Sequence, residues 1–171
     1  YAQALMLTEE FFWSVFCDNY LEIIKPRVYQ TEVDDERISA CSALRLIHRA
    51  IVRLFAPFLP YITEEIWNWA YAKDEGMHSS VHKSPWPVMR EFEGVSETKY
   101  PDLYEVLVQL ISPIRKAKTD ANISVAAPVS KIEIKCPATM NEMCNLLVKD
   151  VVAMLHVNEY NIQTGNGKIE V

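Results

Sequence analysis

Apolar side chains recur every three or four positions along most of the first 120 residues, the spacing of helices with one buried face. Between residues 3 and 25, Leu5, Phe12, Trp13, Phe16, Cys17, Tyr20, Leu21 and Ile24 form such a stripe, with Glu9, Glu10, Asp18 and Glu22 mainly on other faces. Lys25-Pro26 predicts the end of this helix, because proline disfavours the helical conformation of the residue before it. Thr31-Glu32-Val33-Asp34 has the form of a capping box and predicts a second helix from about Asp34 to Phe55. At about 100° per residue, Ile38, Cys41, Leu44, Ile47, Ile51, Leu54 and Phe55 share one broad face. Arg45, Arg49 and Arg53, at i, i+4 and i+8, lie nearly opposite it. Pro57 and Pro60 break that helix, and a shorter one with Thr63-Glu64-Glu65 near its start carries Ile66, Trp67, Trp69, Ala70 and Tyr71.

Residues 73–99, with Gly76, Gly94, Pro85 and Pro87, read as a long ordered loop, pinned by Trp86 between its two prolines. A third long helix is expected from about Tyr100 to Asp120, buried on Leu103, Val106, Leu107, Leu110, Ile111 and Ile114. Pro113 inside it predicts a kink or a later start. The period then changes to two in Lys131-Ile132-Glu133-Ile134-Lys135-Cys136, a strand with one wet face. Thr139-Met140-Asn141-Glu142 matches a capping box and predicts a helix of about a dozen residues. Val157 to Gln163 and Lys168 to Val171 read as two short strands around a Gly165-Asn166-Gly167 turn. The expected fold is mainly α: a helical bundle over residues 1–123 and a small α/β appendage over 124–171. Trp13, Phe16, Leu44, Ile47, Ile51, Phe55, Trp67 and Trp86 are the expected core.

The 171 residues are 50% hydrophobic and 23% charged, a globular composition, and their net charge of −6 excludes a strongly basic nucleic-acid wrapper while leaving room for a local basic stripe. Four glycines disfavour a Gly-rich phosphate loop. No apolar run approaches the roughly 18 residues of a membrane span. The chain opens on Tyr1 without a signal-peptide pattern, which suggests a piece of a larger protein. Cys17, Cys41, Cys136 and Cys144 are widely spaced and read as reduced, mostly buried thiols of a cytoplasmic protein.

Candidate chemistry is sparse. His78 and His82 are four apart but lie in a poor helix context, and Cys136 and Cys144 have no histidine close in sequence, so loop packing and buried thiols are the better readings than a metal site. Glu64-Glu65 reads as an offset to a helix dipole, and His48, at the edge of an apolar face, as a hydrogen-bonded core residue. The arginine line is more informative. Arg45, Arg49 and Arg53 make a positive ridge able to neutralise phosphates or stack on unpaired bases. Equally, they could form a solvated face paired with Glu32, Asp35 or Glu64. Arg115, Lys116 and Lys118 form a second basic cluster, and Lys25 and Arg27 a third.

Four ordered motifs resemble a known family. Phe16-Cys17-Asp18-Asn19-Tyr20-Leu21-Glu22-Ile23-Ile24-Lys25 is similar to the FCDWYLE-plus-Lys segment of valyl-tRNA synthetases, with Asn19 in place of the usual Trp. Leu54-Phe55-Ala56-Pro57-Phe58-Leu59-Pro60-Tyr61-Ile62-Thr63-Glu64-Glu65-Ile66-Trp67 resembles the L-x-P-F-x-P-F-x-T-E-E-x-W signature of class Ia synthetases, with Tyr61 where Phe is frequent. Ser80-Val81-His82-Lys83-Ser84-Pro85-Trp86-Pro87 resembles the S-x-H-x-x-P-W-P loop of the valine enzymes, and Ile114-Arg115-Lys116-Ala117-Lys118 with Asn122-Ile123 the basic helix end after it. The resemblance implies an anticodon-binding helical bundle, starting after that domain's first helix, that recognises tRNA, and tRNA-Val in particular. It also implies a parent enzyme that attaches valine using ATP and Mg in a catalytic domain whose HIGH and KMSKS motifs are absent from these residues. No cofactor is expected for the fragment itself. The expected partners are tRNA and the other domains of the synthetase, with neither DNA nor a membrane. The tRNA-contact candidates are Arg45, Arg49, Arg53, Lys25, Arg27, Arg115, Lys116 and Lys118, none of which the motif match assigns by itself. The same domain of an isoleucine or leucine enzyme, or a helical protein–protein module, are the rival readings.

Overall fold

A computed structural model describes residues 1–95, 99–165 and 167–171. Asn166 of the expected turn, and residues 96–98 of the expected loop, lie outside them. The chain forms two compact units, one of Tyr1–Tyr20 with Gln30–Glu97 and one of Leu21–Tyr29 with Thr98–Val171.

The first expected helix is present but not uniform. Helix α1 (Ala2–Glu10) runs into a π-helical segment (Phe11–Leu21) and then helix α2 (Glu22–Tyr29). An i→i+5 turn is wider than the 3.6-residue turn used to project the stripe, so side chains of the π segment rotate off the expected face. Phe16 is buried, but Trp13, expected in the core, is 58% exposed. The helix also continues through Pro26 to Tyr29 instead of ending at Lys25. Buried Ile23 and Ile24 and the Arg27–Asp150 fork pin the backbone on both sides of the proline, and these contacts outweigh its local preference.

In the first unit, helix α3 (Asp35–Phe55) begins at Asp34, whose carboxylate accepts from the Arg37 backbone N–H at 2.8 Å; the cap is therefore Asp34 and not Thr31. Burial on α3 concentrates in its second half, at Ala50, Ile51, Val52, Arg53 and Phe55. Ile38 and Cys41 of the expected apolar face are exposed. Phe12 meets Phe55 edge-on at 5.4 Å and stacks with Phe16 at 6.2 Å. Helix α4 (Pro60–Ala70) starts with proline at its first position, where no backbone donor is lost. Its Trp67, 1% exposed, packs with Val52, Ala56, Tyr71 and Val81. The following segment is ordered without long helices, having single 3₁₀ turns at Val81–Lys83 and Met89–Phe92. Trp86, expected in the core, is 55% exposed; the flanking backbone is held while the indole faces water.

In the second unit, helix α5 (Leu103–Asp120) buries Val106, Leu107, Leu110, Ile111 and Ile114 as the period predicts, and continues through Pro113. It ends in a Schellman motif: Asn122 adopts φ 55°, its N–H reaches the Thr119 carbonyl at 2.9 Å, and the Ile123 N–H reaches that of Lys118 at 3.0 Å. Strand β1 (Val129–Pro137), helix α6 (Asn141–Leu155) and strand β2 (Val157–Gly165) form a βαβ unit with the strands parallel, Ile134 opposite Ile162. Parallel strands need a crossover, which α6 supplies. The cap of α6 is Met140 without a side-chain bond, because Thr139 sits inside the preceding 3₁₀ turn, so the expected capping box does not form. Near the end of the chain, Glu170 exchanges two backbone hydrogen bonds with Lys135 of β1, at 2.8 and 2.9 Å, so it pairs with β1 and not with β2 as the expected hairpin required. Ile132, Ile134 and Cys136 are buried, as are Cys144, Leu147, Val148, Val151 and Leu155 of α6.

Lys118 ties this unit together. Only 2% exposed, its ammonium donates to the carbonyls of Val125 and Ala127, each at 2.7 Å, and Leu155 at 3.0 Å. Burial holds its pKa below the ordinary lysine value. The three acceptors lie in the segment after α5 and at the end of α6, so one cation fixes both. Lys118→Met removes all three donors and leaves the buried Leu155 carbonyl without this partner. The expected loss is about 2–4 kcal/mol in urea unfolding, and a loss below 0.5 kcal/mol would show that the tie is dispensable.

Candidate functional site

The eight candidate cations fall into two groups, one in each unit. In the first unit, Arg45, Arg49 and Arg53 share one line of α3, each is engaged by a carboxylate, and burial rises along the line from Arg45 to Arg53. Arg45 donates to the Ala70 carbonyl at 2.7 Å and the Asp74 carboxylate at 2.5 Å, and its guanidinium lies 4.9 Å from the centre of the Tyr71 ring. Arg53, 6% exposed, grips Glu91 with both terminal nitrogens, at 2.9 and 2.5 Å, and also donates to the carbonyls of Pro85 and Arg49. Arg49 reaches the same carboxylate at 3.2 Å. The partners are Asp74 and Glu91, while Glu64, considered for this role, is engaged elsewhere. The Arg53 hydrogen bond, opposed by burial and aided by the Val88 N–H, holds the Glu91 carboxyl below its ordinary pKa.

The loop bearing Glu91 is fastened by α4. Glu64 accepts from the Ser80 hydroxyl at 3.0 Å and the Val81 N–H at 2.9 Å. The Trp67 indole N–H donates to the His78 carbonyl at 2.8 Å, and a ring nitrogen of His82 lies 3.2 Å from the Pro60 carbonyl. Thr63 donates its hydroxyl to the Leu59 carbonyl at 2.8 Å. The Thr-Glu-Glu-Ile-Trp element is thus a clamp for the Ser-Val-His-Lys-Ser-Pro-Trp-Pro loop, and Glu65, on the outer face, is exposed. A cavity of about 280 Å³ between them is lined by Arg49, Arg53, Trp67, Met77, Pro85 and Glu91, among others.

His48 is the hydrogen-bonded core residue that its position suggests. Its Nδ1 is 2.7 Å from the Tyr71 hydroxyl, which in turn donates to the Arg45 carbonyl at 3.3 Å. Burial first, and Arg45 second, lower its pKa from 6.5.

In the second unit, Arg27 forks onto Asp150 at 2.8 and 2.5 Å, and Lys25 pairs with Glu22 at 2.5 Å on the surface. On α5, Lys116 is exposed, Arg115 half-buried and Lys118 inside the tie already described. Cys136 and Cys144 come together at the strand-to-helix corner, both fully buried; burial, then Cys136, push the Cys144 thiol up to about 12, away from thiolate chemistry. The cysteines are free thiols, with Cys41, unlike most, exposed. Among the described residues no group of three or more His, Cys, Asp or Glu side chains could hold a metal ion, and no helix is long and apolar enough to cross a membrane.

Residues 1–134 match the family described as the anticodon-binding domain of tRNA ligase. The chain belongs to this family. Among curated proteins it is 38% identical to the valine–tRNA ligase of Thermobifida fusca over 78% of the chain, 37% to that of Wolbachia pipientis over 90%, and 34% to that of Cutibacterium acnes over 99%. It spans only 14 to 18% of those relatives' lengths. The clamp motif in α4 and the loop it holds are thus features of an anticodon-binding domain. What sequence reading missed are Asp74 and Glu91 as partners of the ridge and Lys118 as an internal tie. Acidic residues in an irregular loop carry no period, so only folding reveals which arginine they meet.

Two outcomes follow for this unit. Glu64→Gln removes the charge that holds Ser80 and Val81. Hydrogen exchange at the Val81 amide is expected to accelerate at least tenfold while that at Ile51 is unchanged; equal protection at Val81 would remove Glu64 from the clamp. Since the native state disfavours the His48 proton, its contribution to stability is complete above about pH 6.5 and falls as pH drops through the lowered native pKa. The urea midpoint is expected to decline between pH 7.5 and 5.5, less steeply in His48→Gln; identical slopes would exclude His48 as the source.

Proposed function

We propose that this chain is the tRNA-recognition module of a valine–tRNA ligase, binding tRNA-Val at and near the anticodon stem-loop. The parent enzyme would attach valine to that tRNA with ATP and Mg in a catalytic domain outside these residues, in the cytoplasm. The observation that carries the reading is 34–38% identity to valine–tRNA ligases along most of the chain, joined to a family match over residues 1–134.

Recognition is the mechanism. Phosphate contacts position the RNA, and unpaired anticodon bases are read by stacking and by hydrogen bonds to their edges. Of the three candidate arginines in the first unit, Arg45 is accessible, with side-chain exposure of 52%, and Arg49 is partly accessible at 24%. In the second unit Lys116 and Lys25 are accessible, and Arg115 is half-buried beside Lys116. Arg53 and Lys118 support the surface from within through Glu91 and three carbonyls, and Arg27, 37% exposed, is partly accessible while forked onto Asp150. Arg49→Glu is a poor test, because it sets a second carboxylate against Glu91.

The test is a titration with a valine tRNA transcript and the same transcript carrying a replaced anticodon, at low and moderate salt. Tighter binding to the valine anticodon is expected. Equal, salt-sensitive binding to both would reduce the domain to a phosphate surface. Arg45→Gln and Lys116→Gln should each weaken binding and lower the salt slope by about 1 without changing the thermal midpoint. An unchanged slope removes the residue from the interface.

A further inference from the structure

The three guanidiniums of the α3 line face two carboxylates, so the ridge carries a formal charge of +1 in place of +3. We propose that Asp74 occupies, on Arg45, the place an RNA phosphate takes, so that binding at this ridge is an exchange of one anion for another and Asp74 sets its affinity. The inference rests on the proposed tRNA-binding role and deepens it.

Guanidinium groups hold carboxylates and phosphates with the same N–H donors, which makes a carboxylate a natural stand-in for a phosphate. The two acidic partners differ in how firmly they are held. Glu91 accepts from Arg53 twice, from Arg49 and from the Val88 N–H, which occupies both of its oxygens. Its Arg53 partner is interior, so Glu91 is a fixed part of the loop clamp. Asp74 holds Arg45 by one contact at 2.5 Å, with side-chain exposures of 52% for the arginine and 42% for the aspartate. Such a surface pair is weak and easily displaced.

Arg45 stays in place when its carboxylate leaves. The Ala70 carbonyl holds its guanidinium at 2.7 Å, and the Tyr71 ring lies beneath it at 4.9 Å. Arg45 is therefore set to receive an incoming phosphate without reordering its side chain. One turn along, Arg49 keeps a buried Nε–H without an acceptor, while its terminal nitrogen is fixed on Glu91. The ridge thus offers one accessible, oriented guanidinium, that of Arg45, under competition from Asp74.

Asp74→Asn tests this with little risk to the fold. Its affinity for the valine tRNA transcript and for the anticodon-replaced transcript should rise by the same factor. That factor should be about 3.5 times larger at 50 mM than at 200 mM salt, as one more phosphate contact requires. Arg45→Gln/Asp74→Asn should gain over Arg45→Gln alone no more than Glu75→Gln gains over the unmodified chain. Glu75→Gln, a neutralisation of the neighbouring exposed side chain, should gain less. The proposal is overturned if Asp74→Asn binds no tighter than the unmodified chain, if the gain survives without Arg45, or if Glu75→Gln matches it. Absence of binding by the unmodified chain overturns the tRNA-binding role itself and this inference with it, whereas normal binding with a silent Asp74→Asn overturns the inference alone.

Discussion

The first unit depends on how α4 treats the segment that follows it. That segment has two single 3₁₀ turns and little other regular structure, so its backbone groups need partners from outside. Helix α4 supplies them from one inner face: the Glu64 carboxylate takes Ser80 and Val81, and the Trp67 indole takes His78. Trp67 also fills the core beneath, so the same residue supplies apolar burial and a polar anchor. With the loop fixed at these points, Glu91 arrives at Arg53 and Arg49. The electrostatics of the arginine ridge are thus a consequence of a clamp more than ten residues away in sequence.

This arrangement changes what a basic stripe means. Three arginines on an otherwise acidic chain suggest an open positive surface. In the folded unit each is engaged by a carboxylate, and the most interior one serves as a rivet between helix and loop. A guanidinium buried with a forked carboxylate and two carbonyls is a structural element whose loss leaves a charge unpaired. One at the surface with a single carboxylate keeps capacity for another anion. Burial, more than residue type, separates the two roles along one line of one helix.

The second unit solves a different problem with the same chemistry. A two-stranded parallel sheet is a small structure with few backbone bonds of its own, and it persists because α6 lies over it and α5 and α2 pack on α6. The Lys118 ammonium joins the end of α5, the connection to β1 and the end of α6, and Arg27 fastens α2 to α6 through Asp150. Both cations stand in a sequence context that suggests RNA contact. Lys118 follows Arg115 and Lys116 at a helix end where positive charge also suits the dipole, so nothing local distinguishes the buried lysine from its exposed neighbours.

Legible in the sequence alone were the mainly α class, the approximate extents of α3, α5, β1, α6 and β2, the buried side of α5, the core placement of Phe16, Phe55 and Trp67, and, through its ordered motifs, the family, but not the parallel pairing of the two strands. These follow from periodicity and from residue types with one strong local preference. The tertiary structure decided the rest. It carried a helix through Pro26, turned Trp13 and Trp86 to solvent, moved the cap of α3 to Asp34, and sent Glu170 to β1. It also placed Asp74 and Glu91 on the arginines and Lys118 among carbonyls. The physical reason is common to all of them. A π-helical turn, a proline held by neighbouring burial, and a carboxylate in an aperiodic loop are each settled by partners distant in sequence, and no pattern of spacing records which partner that is.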